Sequence, residues 1–115
     1  MTDARGNVLL RRRPPSGLLG GMVELPGTGW TTEKWTEADA MAHAPMPVEW
    51  RPAGRVKHVF THFELTIDLL AARVAAIEGD GFVHPLTELH AVALPSVMRK
   101  CVRVAASEYR DRPVM

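Results

Sequence analysis

The sequence contains very little cysteine: its 115 residues include one, Cys101. A single thiol excludes an internal disulfide, and it excludes a zinc or iron–sulfur cluster whose ligands are all cysteines of this chain. Long apolar runs are also missing, since none approaches the roughly 20 residues that span a bilayer. The N-terminus lacks the charged start and apolar core of a signal peptide. These absences lead us to expect a cytoplasmic domain.

The chain also lacks an excess of charge of either sign. Lysine and arginine together number 14, and aspartate and glutamate 13, which leaves a formal net charge of +1. This balance argues against a tail or histone-like protein that binds nucleic acid through bulk charge, but it leaves a local basic patch open. Hydrophobic residues make up 46% and charged residues 23%, as in ordinary globular proteins. One compact domain is therefore expected.

Most of the positive charge is arginine, which outnumbers lysine eleven to three. Three arginines stand together at 11–13, and Arg55 lies two residues from Lys57. Because a guanidinium group can donate two parallel hydrogen bonds to a phosphate, such clusters are candidate phosphate contacts. The simpler alternative is that the arginines form solvated faces of the domain.

Proline and glycine divide the first half of the chain into short elements. A strand is expected over residues 8–13, where an apolar run enters the three arginines and ends at two prolines. A short extended piece is expected over 22–25. Residues 36–43 are predicted to form about two helical turns, with Thr36 as the N-cap.

The second half of the chain carries the clearest helix. Apolar residues recur at helical spacing from Pro95 to about Tyr109, and proline suits the first helical position. A shorter helical turn is expected over 85–89. The order of strands, a short helix, a strand pair and a terminal helix predicts a mixed α/β (α+β) fold, in which the terminal helix packs on a sheet.

A strand pair is predicted from a change of parity near the centre of the chain. Apolar and aromatic side chains occupy even positions over 56–60 and odd positions over 65–69. Because side chains alternate with a period of two, a strand cannot change parity without a bulge or a turn. We therefore expect antiparallel strands at about 55–59 and 64–75, joined by a tight turn at 60–63.

The early segment resembles a known family. Residues 8–27 read VLLRRRPPSGLLGGMVELPG, which is similar to the Gly-Gly-x-x-Glu-x-Pro-Gly approach to the Nudix box. The resemblance implies a Nudix-like mixed sheet flanked by helices. The helix that holds Mg²⁺ in that family carries Arg-Glu-x-x-Glu-Glu, whereas residues 35–41 here read WTEADAM. Glu33 and Glu37 alone do not replace that motif, so the expectation is a Nudix fold that has lost diphosphate hydrolysis.

Three later segments narrow the resemblance. They read GRVKHVFTHFEL at 54–65, HPLTEL at 84–89 and ALPSVMRK at 93–100. Their order and spacing resemble the C-terminal domain of MutY-type adenine DNA glycosylases. The resemblance implies that residues 1–115 are one recognition domain, without catalytic residues, metal or cofactor of its own. Adenine excision and a 4Fe–4S cluster are then expected in an N-terminal domain that is absent from this sequence.

The same family implies the partners and the site. Its partners are duplex DNA with 8-oxoguanine opposite adenine, and the N-terminal catalytic domain, in a bacterial cytoplasm at the nucleoid. The family reads the lesion with a Phe-Ser-His turn, which corresponds here to Phe60, Thr61 and His62. Thr61 supplies the hydroxyl, Phe60 packs beside the bases, and His62 reaches a phosphate or holds the turn. Expected phosphate contacts are Arg11, Arg12, Arg13, Arg55 and Lys57.

Two alternatives remain open. A divergent Nudix pyrophosphohydrolase acting on oxidised nucleoside triphosphates would need Mg²⁺ and several carboxylates. The acids close enough in sequence are Glu24, Glu33, Glu37 and Asp39. A protein-interaction module would bind a repair partner and never DNA. Without the family resemblance, Phe60 reads as a core residue and His62 as a turn residue bonded locally.

Overall fold

The computed structural model describes residues 1–17, 19–30 and 34–110. These residues form seven strands, two α-helices and one 3₁₀ helix. In chain order they are β1 (Thr2–Asp3), β2 (Asn7–Arg12), β3 (Val23–Glu24), α1 (Glu37–Met41), β4 (Arg51–Val59), β5 (Glu64–Ala71), β6 (Arg73–Val74), β7 (Phe82–Pro85), the 3₁₀ helix (Leu86–Ala91) and α2 (Ser96–Arg110). The mixed α+β architecture with a C-terminal helix confirms the expected fold class.

Strand β2 is the centre of the larger sheet. Val8 pairs with Thr2 of β1 and with His84 of β7, so those strands lie along opposite edges of β2. Strand β3 pairs antiparallel with the other half of β2, and β6 runs parallel beside β1. Three consecutive β2 residues, Val8 to Leu10, are buried. A strand buries successive side chains only when both of its faces are covered.

The predicted hairpin is the second sheet. Strands β4 and β5 pair antiparallel from Arg51↔Ala71 to Val59↔Glu64, with a bulge between Pro52 and Gly54. The turn lies at residues 60–63, as the parity change predicts.

Both predicted strand limits need correction. Strand β4 begins at Arg51 rather than at 55, and β5 ends at Ala71 rather than at 75. Ala71 and Ala72 are both buried. The Ala72 carbonyl accepts from the Thr2 amide at 3.0 Å, so the chain leaves the hairpin after Ala71. It then pairs with β1 as β6.

Helix α2 covers the hairpin from the side of the core. Its apolar stripe, with Val97, Met98 and Cys101 buried, packs mainly on β4. The helix begins at Ser96, one residue later than predicted, because Pro95 supplies the carbonyl that accepts from the Arg99 amide at 3.0 Å. Helix α1 has the predicted cap, since the Thr36 side chain accepts from the Asp39 amide. No helix among the described residues is long and apolar enough to cross a membrane.

Cys101 is expected to be inert in the folded chain. Burial raises the pKa of its thiol to about 11, and only the thiolate attacks disulfide reagents. At about pH 8 the thiolate fraction is then on the order of a thousandth, so an aromatic disulfide reagent should label Cys101 only after denaturant is added. Rapid labelling of the native chain, at the rate seen in denaturant, would show that α2 does not protect the thiol.

Candidate functional site

The four residues 60–63, here called the tip, close the β4–β5 hairpin. The Phe60 amide donates to the Phe63 carbonyl at 2.8 Å, one step beyond the Val59↔Glu64 pair. This bond leaves Thr61 and His62 at the end of the hairpin, and both are exposed. Neither side chain has a hydrogen-bond partner among the described residues. A hydroxyl and an imidazole are therefore free to meet a ligand.

Four rings, here called the aromatic cluster, join the two ends of the tip, Phe60 and Phe63, to His58 and Trp30. Phe60 is half-buried and stacks on Phe63, with ring centroids 4.8 Å apart at an interplanar angle of 26°. His58 meets Phe60 edge-on at 4.7 Å, and Trp30 lies 6.4 Å from it. Aromatic pairs at such separations contribute about 0.5–1.5 kcal/mol each beyond their buried area. The cluster fixes the base of the tip.

The aromatic cluster continues into a charged network on β2 and β3. The Arg13 guanidinium lies over Trp30, with 4.1 Å between its Cζ atom and the ring centroid. Arg13 also donates to Glu24 at 2.7 Å, and Arg11 donates to the other oxygen of the same carboxylate at 2.7 Å. Arg11 further donates to the Gly27 carbonyl at 3.0 Å. Glu24 is 5% exposed, so two charge-assisted bonds hold a buried carboxylate.

Two further cations lie on strand β4, in the half that leads to the tip. Arg55 and Lys57 are exposed, on the strand face opposite the buried Val56. Arg55 donates to Asp68 at 2.6 Å, and this hydrogen bond raises the pKa of Arg55. The Lys57 ammonium has no partner among the described residues, while its backbone carbonyl accepts from the Lys100 ammonium at 3.1 Å. Lys57 thus has the freer charge of the two.

The predicted site residues differ in whether their side chains are free or already bonded within the domain. The structure brings Phe60, Thr61 and His62 together in the tip. Within the arginine run, Arg11 and Arg13 donate to Glu24, whereas Arg12 is exposed and, among the described residues, donates to the Gly21 carbonyl at 3.0 Å. The DNA contacts themselves stay predictions.

Sequence reasoning missed two members of the aromatic cluster. Phe63 could have been found, because it mirrors Phe60 across the predicted turn. Trp30 gave no local signal, because its contact with Phe60 joins residues 30 positions apart in the chain.

The carboxylates required by a hydrolase do not converge among the described residues. There, no three histidine, cysteine, aspartate or glutamate side chains lie close enough to hold a metal ion. Glu24 faces two arginines, and Asp39 is exposed. Glu33 and the side chain of Glu37 lie outside the described residues.

Comparison with known proteins decides the family. A model of the NUDIX domain matches residues 1–104. The chain belongs to the NUDIX domain family. This NUDIX domain is also similar to human adenine DNA glycosylase, with 30% identity over an alignment of 113 positions that covers 84% of the chain. It spans 20% of the length of that relative. Both findings confirm the resemblance to a Nudix-like domain of the MutY type.

Proposed function

We propose that this NUDIX domain reads 8-oxoguanine in duplex DNA on behalf of an adenine DNA glycosylase. The tip supports this role most directly. It presents the Thr61 hydroxyl and the His62 imidazole to solvent without internal partners, beside an aromatic cluster that holds their backbone. The similarity to an adenine DNA glycosylase supports DNA as the ligand.

Threonine at position 61 suits the chemistry of the lesion. Oxidation converts N7 of guanine from an acceptor into an N–H donor and adds an acceptor oxygen at C8. A hydroxyl both accepts and donates, so Thr61 accepts from the lesion N7–H and donates to O8. With undamaged guanine the same hydroxyl makes a single bond, to N7. The difference of one hydrogen bond favours the oxidised base.

Phosphate contacts then set the position of the tip on the duplex. Phosphates fix register and orientation, while base edges supply specificity. Lys57 and Arg12 are the best-placed cations for that role, because Arg11, Arg13 and Arg55 already donate to carboxylates. His62 adds a contact beside the lesion.

Base excision belongs, in this proposal, to another domain of the parent enzyme. The 4Fe–4S cluster of that enzyme needs several thiolate ligands, and Cys101 is one buried thiol. The NUDIX domain supplies lesion selectivity, and the catalytic domain makes the remaining contacts with DNA.

Replacing Thr61 with alanine tests the proposal. We expect Thr61→Ala to lower the preference for an 8-oxoguanine:adenine duplex over a guanine:adenine duplex by roughly 1–3 kcal/mol, the worth of a good base contact. Binding to the undamaged duplex loses only the single hydrogen bond to N7 and should weaken less than binding to the damaged duplex. Fluorescence anisotropy with both labelled duplexes, at low salt, measures the two dissociation constants.

Two control variants sharpen the measurement. Thr87→Ala removes an exposed threonine from the 3₁₀ helix, outside the β4–β5 hairpin, and should change neither constant. Thr61→Ser keeps the hydroxyl and should keep the preference. Equal losses on damaged and undamaged duplexes would contradict the role of Thr61. Turnover of 8-oxo-dGTP with Mg²⁺, scaling with protein concentration, would favour a hydrolase instead.

A further inference from the structure

The tip has little of its own to fix where it points. Thr61 and His62 make no side-chain hydrogen bonds with the described residues, and the β4–β5 hairpin is a separate two-stranded sheet. An isolated hairpin is marginally stable. Besides helix α2, which packs on β4, contacts between the two sheets can set the direction of the tip relative to the larger sheet.

One such connection begins at a buried anchor. Glu24, on β3, accepts from Arg13, which follows β2. The bond is 2.7 Å long, and the Arg13 side chain is 19% exposed. A charge-assisted bond to a buried carboxylate is shorter and stronger than a neutral one. The guanidinium plane is consequently held in one place.

The connection then crosses to the hairpin through two rings. The held guanidinium lies 4.1 Å from the Trp30 ring centroid, within the range of a cation–π contact. Trp30 in turn faces Phe60 at 6.4 Å, and Phe60 is the residue before Thr61. Lysine at position 13 would weaken the contact with Trp30, because it lacks the planar guanidinium group that both stacks on the ring and donates to Glu24.

We propose that Arg13 and Trp30 are positioning residues for the tip. The chain of contacts from Glu24 through Arg13, Trp30 and Phe60 locks the hairpin end to the β2–β3 side of the larger sheet. The Thr61 hydroxyl thereby keeps a fixed direction, and the tip keeps a fixed distance from Arg12, the neighbour of Arg13. The specificity part of this inference rests on the proposed function, whereas the ordering of the tip does not.

The test uses Trp30→Ala, Trp30→Phe and Arg13→Lys, with Trp50→Ala as the matched control. Trp50 is half-buried and donates to the Met46 carbonyl just before β4, at the end of the hairpin far from the tip. Backbone amide signals and ¹⁵N relaxation of Thr61 and His62 report the order of the tip. Anisotropy with the damaged and undamaged duplexes reports lesion preference, and thermal melting reports the fold.

We expect Trp30→Ala to displace and broaden the amide signals of Thr61 and His62. The lesion preference should fall by at least about fivefold, because binding to the damaged duplex weakens more than binding to the undamaged duplex. Arg13→Lys should give the same pattern more weakly, and Trp30→Phe should restore most of both readouts. Trp50→Ala should leave tip signals and preference unchanged.

Unchanged tip signals in folded Trp30→Ala overturn the inference, and so does an equal effect in Trp50→Ala. If Trp30→Ala does not fold, Arg13→Lys decides by the same tip signals. A wild-type chain without lesion preference overturns the proposed function alone. In that case displaced tip signals still support the positioning role, and unchanged ones overturn it.

Discussion

Replacing Glu24 with alanine is expected to lower the free energy of unfolding by about 3 kcal/mol. The carboxylate is 5% exposed and accepts from two arginines. Its removal leaves two like charges on one side of β2 without their common partner. Arg11 and Arg13 are 37% and 19% exposed, so water relieves part of the penalty and places the cost at the lower end of the usual range for a broken buried pair. Urea unfolding followed by circular dichroism measures it.

Asp68→Ala is the matched control for that prediction. It breaks an ion pair of similar length, Arg55–Asp68, in which both side chains are more than half exposed. Exposed pairs contribute little because water screens them, so the unfolding midpoint should barely move. Glu24→Gln keeps an acceptor in place and should fall between the two. Equal destabilisation by Glu24→Ala and Asp68→Ala would show that burial does not strengthen the Glu24 network.

Replacing Gly81 with alanine should be costlier still, at about 4 kcal/mol. Gly81 leads directly into β7 with φ of +129°, a conformation that side chains rarely adopt. A Cβ atom there would overlap the carbonyl oxygen of Leu10, on the adjoining central strand. The backbone of β2 is covered on both faces and cannot move aside. Thermal or urea unfolding of Gly81→Ala gives the loss.

Gly6→Ala separates the two causes. Gly6 also has a positive φ, +79°, but nothing lies within 4 Å of an added Cβ atom. Its replacement should cost only the backbone strain, about 1 kcal/mol. If Gly81→Ala is as stable as Gly6→Ala, then β7 does not approach β2 as closely as it does in the structure.

Local regularities were enough to predict much of the fold. The parity change over residues 56–69 identified the hairpin and its tip, because alternation on a strand is a local property. Helical spacing located α2 to within one residue at each end, and Thr36 marked the start of α1. The family resemblance supplied the sheet architecture that these elements join.

The early end of β5 was not predictable in the same way. Residues 64–75 look extended throughout, and the sequence carries no proline or glycine between them. The break appears only when β1 is placed beside β6, which is a pairing across some 70 residues. Long-range pairing, rather than local propensity, ends the strand.

In the candidate site, too, local features could be predicted and long-range contacts could not. Phe60, Thr61 and His62 came from the resemblance and from the turn, and the structure brings them together. The support for them depends on contacts between sheets, which no local pattern reveals. One clue was present: Glu24 is the only acid between Asp3 and Glu33, so a buried partner for the arginine run had no other candidate nearby.

The most direct test of lesion reading is an amide NMR titration of the wild-type chain with two duplexes that differ only in guanine or 8-oxoguanine opposite adenine. Both duplexes are expected to shift signals near Arg12 and Lys57, whereas the damaged duplex alone should shift Thr61 and His62 strongly. Identical shifts at the tip with both duplexes, or shifts that never reach the tip, would contradict lesion reading by the tip.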